Sequence, residues 1–147
     1  QCRLPPQVEA PALPAPDGPR RMLPIAGYTL ALSWSPQFCR DHRNDEQCDR
    51  STGRFGFIVH GLWPQGAGQA RPQWCASTPL SEPVVRAQYC ATPSVQLIAR
   101  EWAKHGSCMA TTPAAYLKVS SILWQSLHFP DADRLSRQPG LTAGDLR

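Results

Sequence analysis

Long apolar runs are missing from this chain. No stretch of its 147 residues approaches the roughly 18 apolar positions that a membrane-spanning helix needs. Lysine is scarce too: of 15 cationic side chains only Lys104 and Lys118 are lysines, and the rest are arginine. The net charge of +4 favours polyanionic partners but is too weak by itself to establish nucleic-acid binding. None of the six cysteines stands in a C-x-x-C pair, so the common zinc and thioredoxin signatures are set aside. Internal repeats are absent. No basic start followed by an apolar stretch opens the chain, which begins Gln1, Cys2, Arg3, as expected of a mature, processed export product. What is present fits one globular domain: 41% hydrophobic residues and a mean hydropathy of -0.37. Six cysteines in so short a chain are expected to form disulfides, hence a secreted or periplasmic protein.

Residues 1–24 hold seven of the 16 prolines and almost no apolar periodicity, and read as an extended arm tied to the body through Cys2. Alternation at Tyr28, Leu30, Leu32 and Trp34 predicts a half-buried strand that Pro36 ends. The charged segment between Cys39 and Cys48 reads as a surface loop. Residues 55–60 are apolar on both faces and predict a central strand stopping at Gly61. Residues 64–92 show no sustained period and read as a long connection that Cys75 and Cys90 could staple. Thr92 and Pro93 open a helix of about 13 residues that Gly106 closes. Thr112 and Pro113 open another, with Tyr116, Leu117, Val119, Leu123, Trp124 and Leu127 as its apolar positions and Pro130 as its end. Thr142 and Asp145 form a capping box for a third helix, but the chain ends two residues later, so a C-terminal portion is expected to be missing.

At about 100° per residue, the helix over 93–105 gathers Val95, Ile98, Ala99 and Trp102 into a buried stripe. Glu101 and His105 stand about 40° apart on its flank, and Lys104 lies about 60° to the other side of Glu101. An acid, a base and a cation share one edge beside the core. From this helix alone, two readings are open: a reactive edge, or a solvated face with a Glu to Lys pair and a histidine complementing the helix dipole. His60, after Phe57, Ile58 and Val59, is likewise either a hydrogen-bonded strand-end residue or a catalyst. Gly61, Trp63 and Pro64 are expected to turn the chain abruptly, leaving the imidazole at a sheet rim beside an aromatic platform. Two histidines so placed can serve as general base and general acid on opposite sides of a reacting centre, and the ordinary imidazole pKa of about 6.5 suits both tasks.

The segments Phe57-Ile58-Val59-His60-Gly61-Leu62-Trp63-Pro64 and Glu101-Trp102-Ala103-Lys104-His105-Gly106-Ser107-Cys108 resemble, in order and about 40 residues apart, the two active-site segments of the ribonuclease T2 family. Upstream, residues 30–39 (Leu30 through Trp34, Pro36 and Phe38 to Cys39) are similar to the family's first strand and its cysteine. The resemblance spans roughly residues 26–128 and implies metal-free cleavage of RNA. The ribose 2′-hydroxyl attacks phosphorus, the 5′-oxygen leaves, and a 2′,3′-cyclic phosphate forms. It implies His105 as base, His60 as acid, and Glu101 and Lys104 as stabilisers of the phosphorane, with the 2′-hydroxyl selecting RNA over DNA. Trp63, Arg100 and Gln65 are the substrate-binding candidates. Trp63 would stack a base and Arg100 would hold phosphate bidentately. Many relatives carry histidine where this chain has Arg100, and often an acidic residue where it has Gln65, so base preference is not carried over. Trp34, Trp102 and Trp124 are assigned to the core. Six cysteines allow 15 pairings. The family pattern implies Cys75 with Cys108; Cys39 with Cys48 would close the charged loop, which leaves Cys2 with Cys90. The family's late cysteine pair is absent, in keeping with the truncated third helix.

The expected architecture is α+β, a central antiparallel β-sheet packed with helices and stapled by disulfides. Residues 25–147 form a catalytic domain lacking its C-terminal part. The expected protein is a monomeric endoribonuclease with RNA as partner and no cofactor, obligatory metal or membrane association. One rival is a catalytically silent secreted module that holds RNA or a protein on the same scaffold. A second is a metallohydrolase with Glu101, His105 and His60 as ligands, for which His42 and His128 add little.

Overall fold

Strand β1 (Gly27–Trp34) pairs antiparallel with β2 (Phe57–Gln65) in the computed structural model, which describes residues 2–135 and 137–146. The helices are α1 (Ser35–Asp41), α2 (Glu82–Gln88), α3 (Val95–Lys104), α4 (Pro113–Gln125) and the single turn α5 (Ala132–Leu135). The class is α+β as expected, but the sheet has two strands among the described residues, so β2 is not central by strand pairing. Its apolar character has another cause. On the edge away from β1, Val59 N–H donates to Ala91 O (2.9 Å) and Thr92 Oγ1 donates to Val59 O (2.9 Å). Further along, Tyr116 Oη accepts from Leu62 N (3.1 Å) and donates to Leu62 O (3.2 Å). Loop and helix groups thus do the work of a third strand, satisfying backbone that burial would otherwise leave orphaned.

β2 does not stop at Gly61. Ala31 faces Gly61 and Leu32 faces Val59, so His60 is the extra residue of a β-bulge and the strand runs on to Gln65. Of the alternating positions on β1, Leu30, Leu32 and Trp34 are half-buried, whereas Tyr28, opposite Pro64 at the open end of the ribbon, is exposed.

The helix punctuation differs from expectation in instructive ways. Pro36 ends β1 by entering the first turn of α1, where its missing N–H costs nothing, so the stretch expected to be all loop opens with a helix. The N-cap of α3 is Ser94, whose Oγ accepts from Leu97 N, and Glu46 Oε2 takes Val95 N–H at 2.8 Å. Thr92 is spent on Val59 instead. The connection 64–92 contains α2, with Ser81 at its N-cap and Pro83 in its first turn; it buries Val85, Gln88 and Tyr89 against α3 and α4. In α4, Tyr116 and Leu117 are buried, while Val119 and Leu123 stay exposed and Trp124 half-exposed; Leu127, beyond the helix end, is exposed as well. The helix ends at Gln125, ahead of Pro130, because Ser126 folds back: its N–H bonds Ile122 O and its Oγ donates to Leu123 O (2.6 Å). Thr142 donates from both N and Oγ1 to Asp145 Oδ2 (2.8 and 2.7 Å), but the pair caps a 3-10 turn, Ala143–Leu146.

The core joins Leu62 of β2, Val85 and Tyr89 of the α2 region, Ile98 and Trp102 of α3, and Tyr116 of α4. Each large apolar side chain sealed in this way is worth about 1.5–3 kcal/mol. Val8 of the proline-rich arm, 2% exposed, packs into the same cluster. Three disulfides complete the scaffold: Cys2–Cys90, Cys39–Cys48 and Cys75–Cys108.

Candidate active site

The bulge decides what β2 presents. Residues three apart on a regular strand point to opposite faces; the extra residue at His60 brings its ring and that of Trp63 to the same side, with centroids 5.7 Å apart. Ser33 of β1 lies within hydrogen-bond reach of His60 Nδ1 (2.9 Å). Glu101 comes from α3, is 4% exposed, and ties the two segments together. One carboxylate oxygen accepts from Trp63 Nε1 at 2.7 Å, and the other stands 3.5 Å from His60 Nε2. Gly61 is what allows this approach, since a Cβ there would collide with the Glu101 carboxylate.

His105, the C-cap of α3, sits against Trp63 with ring centroids 5.6 Å apart, so the indole carries an imidazole contact from each segment. Burial pushes the His105 pKa down to about 4, against the opposing pull of Glu101; the nearby Lys104, Arg100 and Arg71 charges push the same way as burial. Its Nδ1 is buried and without a hydrogen-bond partner among the described residues. A neutral ring tolerates that position far better than an imidazolium.

His60, Trp63, Arg100, Glu101, Lys104 and His105 all line one open cleft of about 380 Å³, with Arg21, Arg71 and Gln73 completing its basic and polar wall. Gln65 is not brought in: its Nε2 donates across the ribbon to Thr29 Oγ1 (3.1 Å). Lys104 does not pair with Glu101. It and Arg100 instead meet Asp17 of the arm, Lys104 Nζ at 3.3 Å from Oδ1 and Arg100 Nη2 on Oδ2. Arg100, then Lys104, hold the Asp17 carboxyl down at about 2. Trp74 Nε1 donates to the same carboxylate (3.1 Å), its backbone N–H bonds Lys104 O (2.8 Å), and its φ of 53° lies in the left-handed region that a bulky residue seldom adopts. An arm bridge between Arg21 and Gln73 fixes this strap beside the cleft. Sequence reasoning missed Asp17, Arg71, Trp74 and Ser33. Only Ser33 left a signal, as a polar residue within an apolar strand. Among the described residues, no group of three or more His, Cys, Asp or Glu is placed to hold a metal ion.

The arrangement can hold an anion beside two imidazoles, one paired with a carboxylate and one kept neutral. The chain is 36% identical over 136 residues to a probable ribonuclease of Haemophilus influenzae, covering 82% of this chain and 49% of that one. It is 35% identical over 105 residues to a ribonuclease of Aeromonas hydrophila, covering 70% and 46%. It thus spans about half the length of the curated relatives it matches. An RNase-related protein from Calystegia sepium has the same fold, with a TM-score of 0.60 at 22% identity over 79% of this chain and 67% of that one. The model of the ribonuclease T2 family matches residues 26–136, and the chain belongs to that family.

Proposed function

We propose that this chain carries the catalytic centre of an endoribonuclease that cleaves single-stranded RNA by metal-independent transphosphorylation. The observation that carries the proposal is the Glu101 carboxylate, which links His60 and Trp63 of one segment to the helix bearing Lys104 and His105. His105, neutral down to about pH 4, takes the proton from the ribose 2′-hydroxyl. The 2′-oxygen attacks phosphorus, the bond from phosphorus to the 5′-oxygen breaks, and His60 gives that oxygen its proton, leaving a 2′,3′-cyclic phosphate. Lys104 and Arg100 face the charge that builds on the phosphorane, worth several kcal/mol in a partly dry site, while Glu101 orients His60 and Trp63. Trp63 stacks a base, for about 1–3 kcal/mol. Residues 25–147 are the catalytic domain and 1–24 its arm. The three disulfides support an exported, oxidising location.

Incubation with single-stranded RNA in EDTA is expected to yield fragments ending in cyclic phosphate. A requirement for divalent metal would sink the mechanism, and RNA binding without cleavage would favour the silent binding module.

A further inference from the structure

A second cavity, larger than the first, lies at the far end of the ribbon. It has a volume of about 690 Å³ and is lined by Arg40, Arg43, Arg50 and Arg54, with Ser35 and Phe55. These four arginines take part in none of the ion pairs among the described residues. Four acids, Asp41, Asp45, Glu46 and Asp49, lie in the same stretch, but none of them lines the cavity. Asp45 accepts from Gln47 N (3.1 Å), Asp49 from Ser51 N and Oγ (2.8 and 2.9 Å), and Glu46 from Val95 N (2.8 Å). The Cys39–Cys48 bridge holds the loop that presents two of the arginines. The result is a concave site whose charged lining is all arginine.

We infer that this cleft is a second RNA-binding site, which holds the phosphate backbone of the strand at a distance from the bond being cut; the inference rests on the ribonucleolytic reading above. Guanidinium groups grip phosphate with two parallel hydrogen bonds and stack on exposed bases. Phe55 supplies an aromatic face of the kind that single strands use. A concave site framed by arginine suits a flexible polyanion better than a flat anionic membrane, which a protruding lysine-rich surface would serve. The site is within reach of the first. Ser33 touches His60 and Ser35 lines the arginine cleft. Phe55 precedes His60 by five residues, about 16 Å of extended chain. A strand crossing both places meets cations at each, so long RNA is held more firmly than a dinucleotide.

Binding of a labelled 20-residue deoxyoligonucleotide, measured by anisotropy, tests the cleft without any need for cleavage. The variant R43Q/R54Q is expected to bind about tenfold more weakly, with a salt dependence shallower by about 1.4 in log–log slope, the value for two lost single-strand phosphate contacts. R40Q/R50Q should repeat the effect, while K118Q/R134Q, which removes the same charge elsewhere, should change affinity less than twofold. On an active preparation, R43Q/R54Q should lower kcat/KM on long RNA and leave a dinucleotide untouched. Equal losses in the cleft and control variants would overturn the inference, as would loss of binding to phosphatidylglycerol vesicles with oligonucleotide binding intact. A chain that cuts no RNA but shows the cleft-specific binding loss would refute the catalytic reading alone.

Discussion

A histidine that stays neutral in acid sets the working range of this site. His105 gains its proton near pH 4 in the folded protein, against an ordinary value of 6.5. The acidic limb of kcat/KM for RNA cleavage is therefore expected near pH 4, and a limb near 6.5 would contradict the assignment of His105 as base. Replacing His105 by Ala should cost about 10²–10⁴ in rate. The same shift has a stability consequence. Between 6.5 and about 4 the unfolded chain binds this proton and the folded one does not, so the contribution of His105 is present above 6.5 and lost as the pH falls through that window. Asp17 acts on the neighbouring cations. Its carboxylate occupies Arg100 and Lys104, the cations proposed to hold phosphate. Asp17→Asn should therefore tighten inorganic phosphate several-fold in a calorimetric titration; unchanged affinity would mean that Asp17 only fastens the arm.

The bulge in β2 shows how an element can carry a site. Gly61 gives up its β-carbon so that Glu101 can approach, and Gly61→Ala would force that carboxylate off both Trp63 and His60. The expected cost is about 1–3 kcal/mol in stability from overpacking and about 10²-fold in activity from the displaced groups. Gly27→Ala, where an added methyl meets nothing, is the control; equal melting temperatures and rates for both variants would remove the bulge from the account. Elements with strong punctuation were legible in the amino-acid sequence. Thr112 and Pro113 start α4, and the stripe of Ile98, Ala99 and Trp102 on α3 is buried. The extension of β2 was not legible, because a bulge is a property of two strands in register and leaves no period in one. Nor was α2, whose seven residues are too few to establish a period.

At the scale of the whole molecule, the arm is where local reading gave out. Composition marked residues 1–24 as extended, and the described residues among them contain no helix or strand. Yet Val8 is sealed in the core, and Asp17 closes on α3. Contacts spanning more than 80 residues have no signature in a window of ten. The site residues from the two matched segments were legible because each segment holds its own set within a few positions; what joins them, Glu101 bridging to Trp63 and His60, needed the fold. The bridges carry one more consequence, and it concerns how the molecule comes to exist. Cys2–Cys90 and Cys75–Cys108 are interleaved, with Cys75 inside the span of the first and Cys90 inside the span of the second. If thiols joined in the order in which a ribosome or translocon releases them, Cys2 would take Cys39, Cys48 would take Cys75 and Cys90 would take Cys108, and none of these pairs is native. Reduced, unfolded chain should therefore regain its fold in good yield in a glutathione redox buffer and poorly under rapid air oxidation, with equal yields counting against the interleaved pattern. Maturation of this protein is a matter of breaking wrong bonds as much as making right ones, so thiol–disulfide exchange is as necessary to it as oxidation.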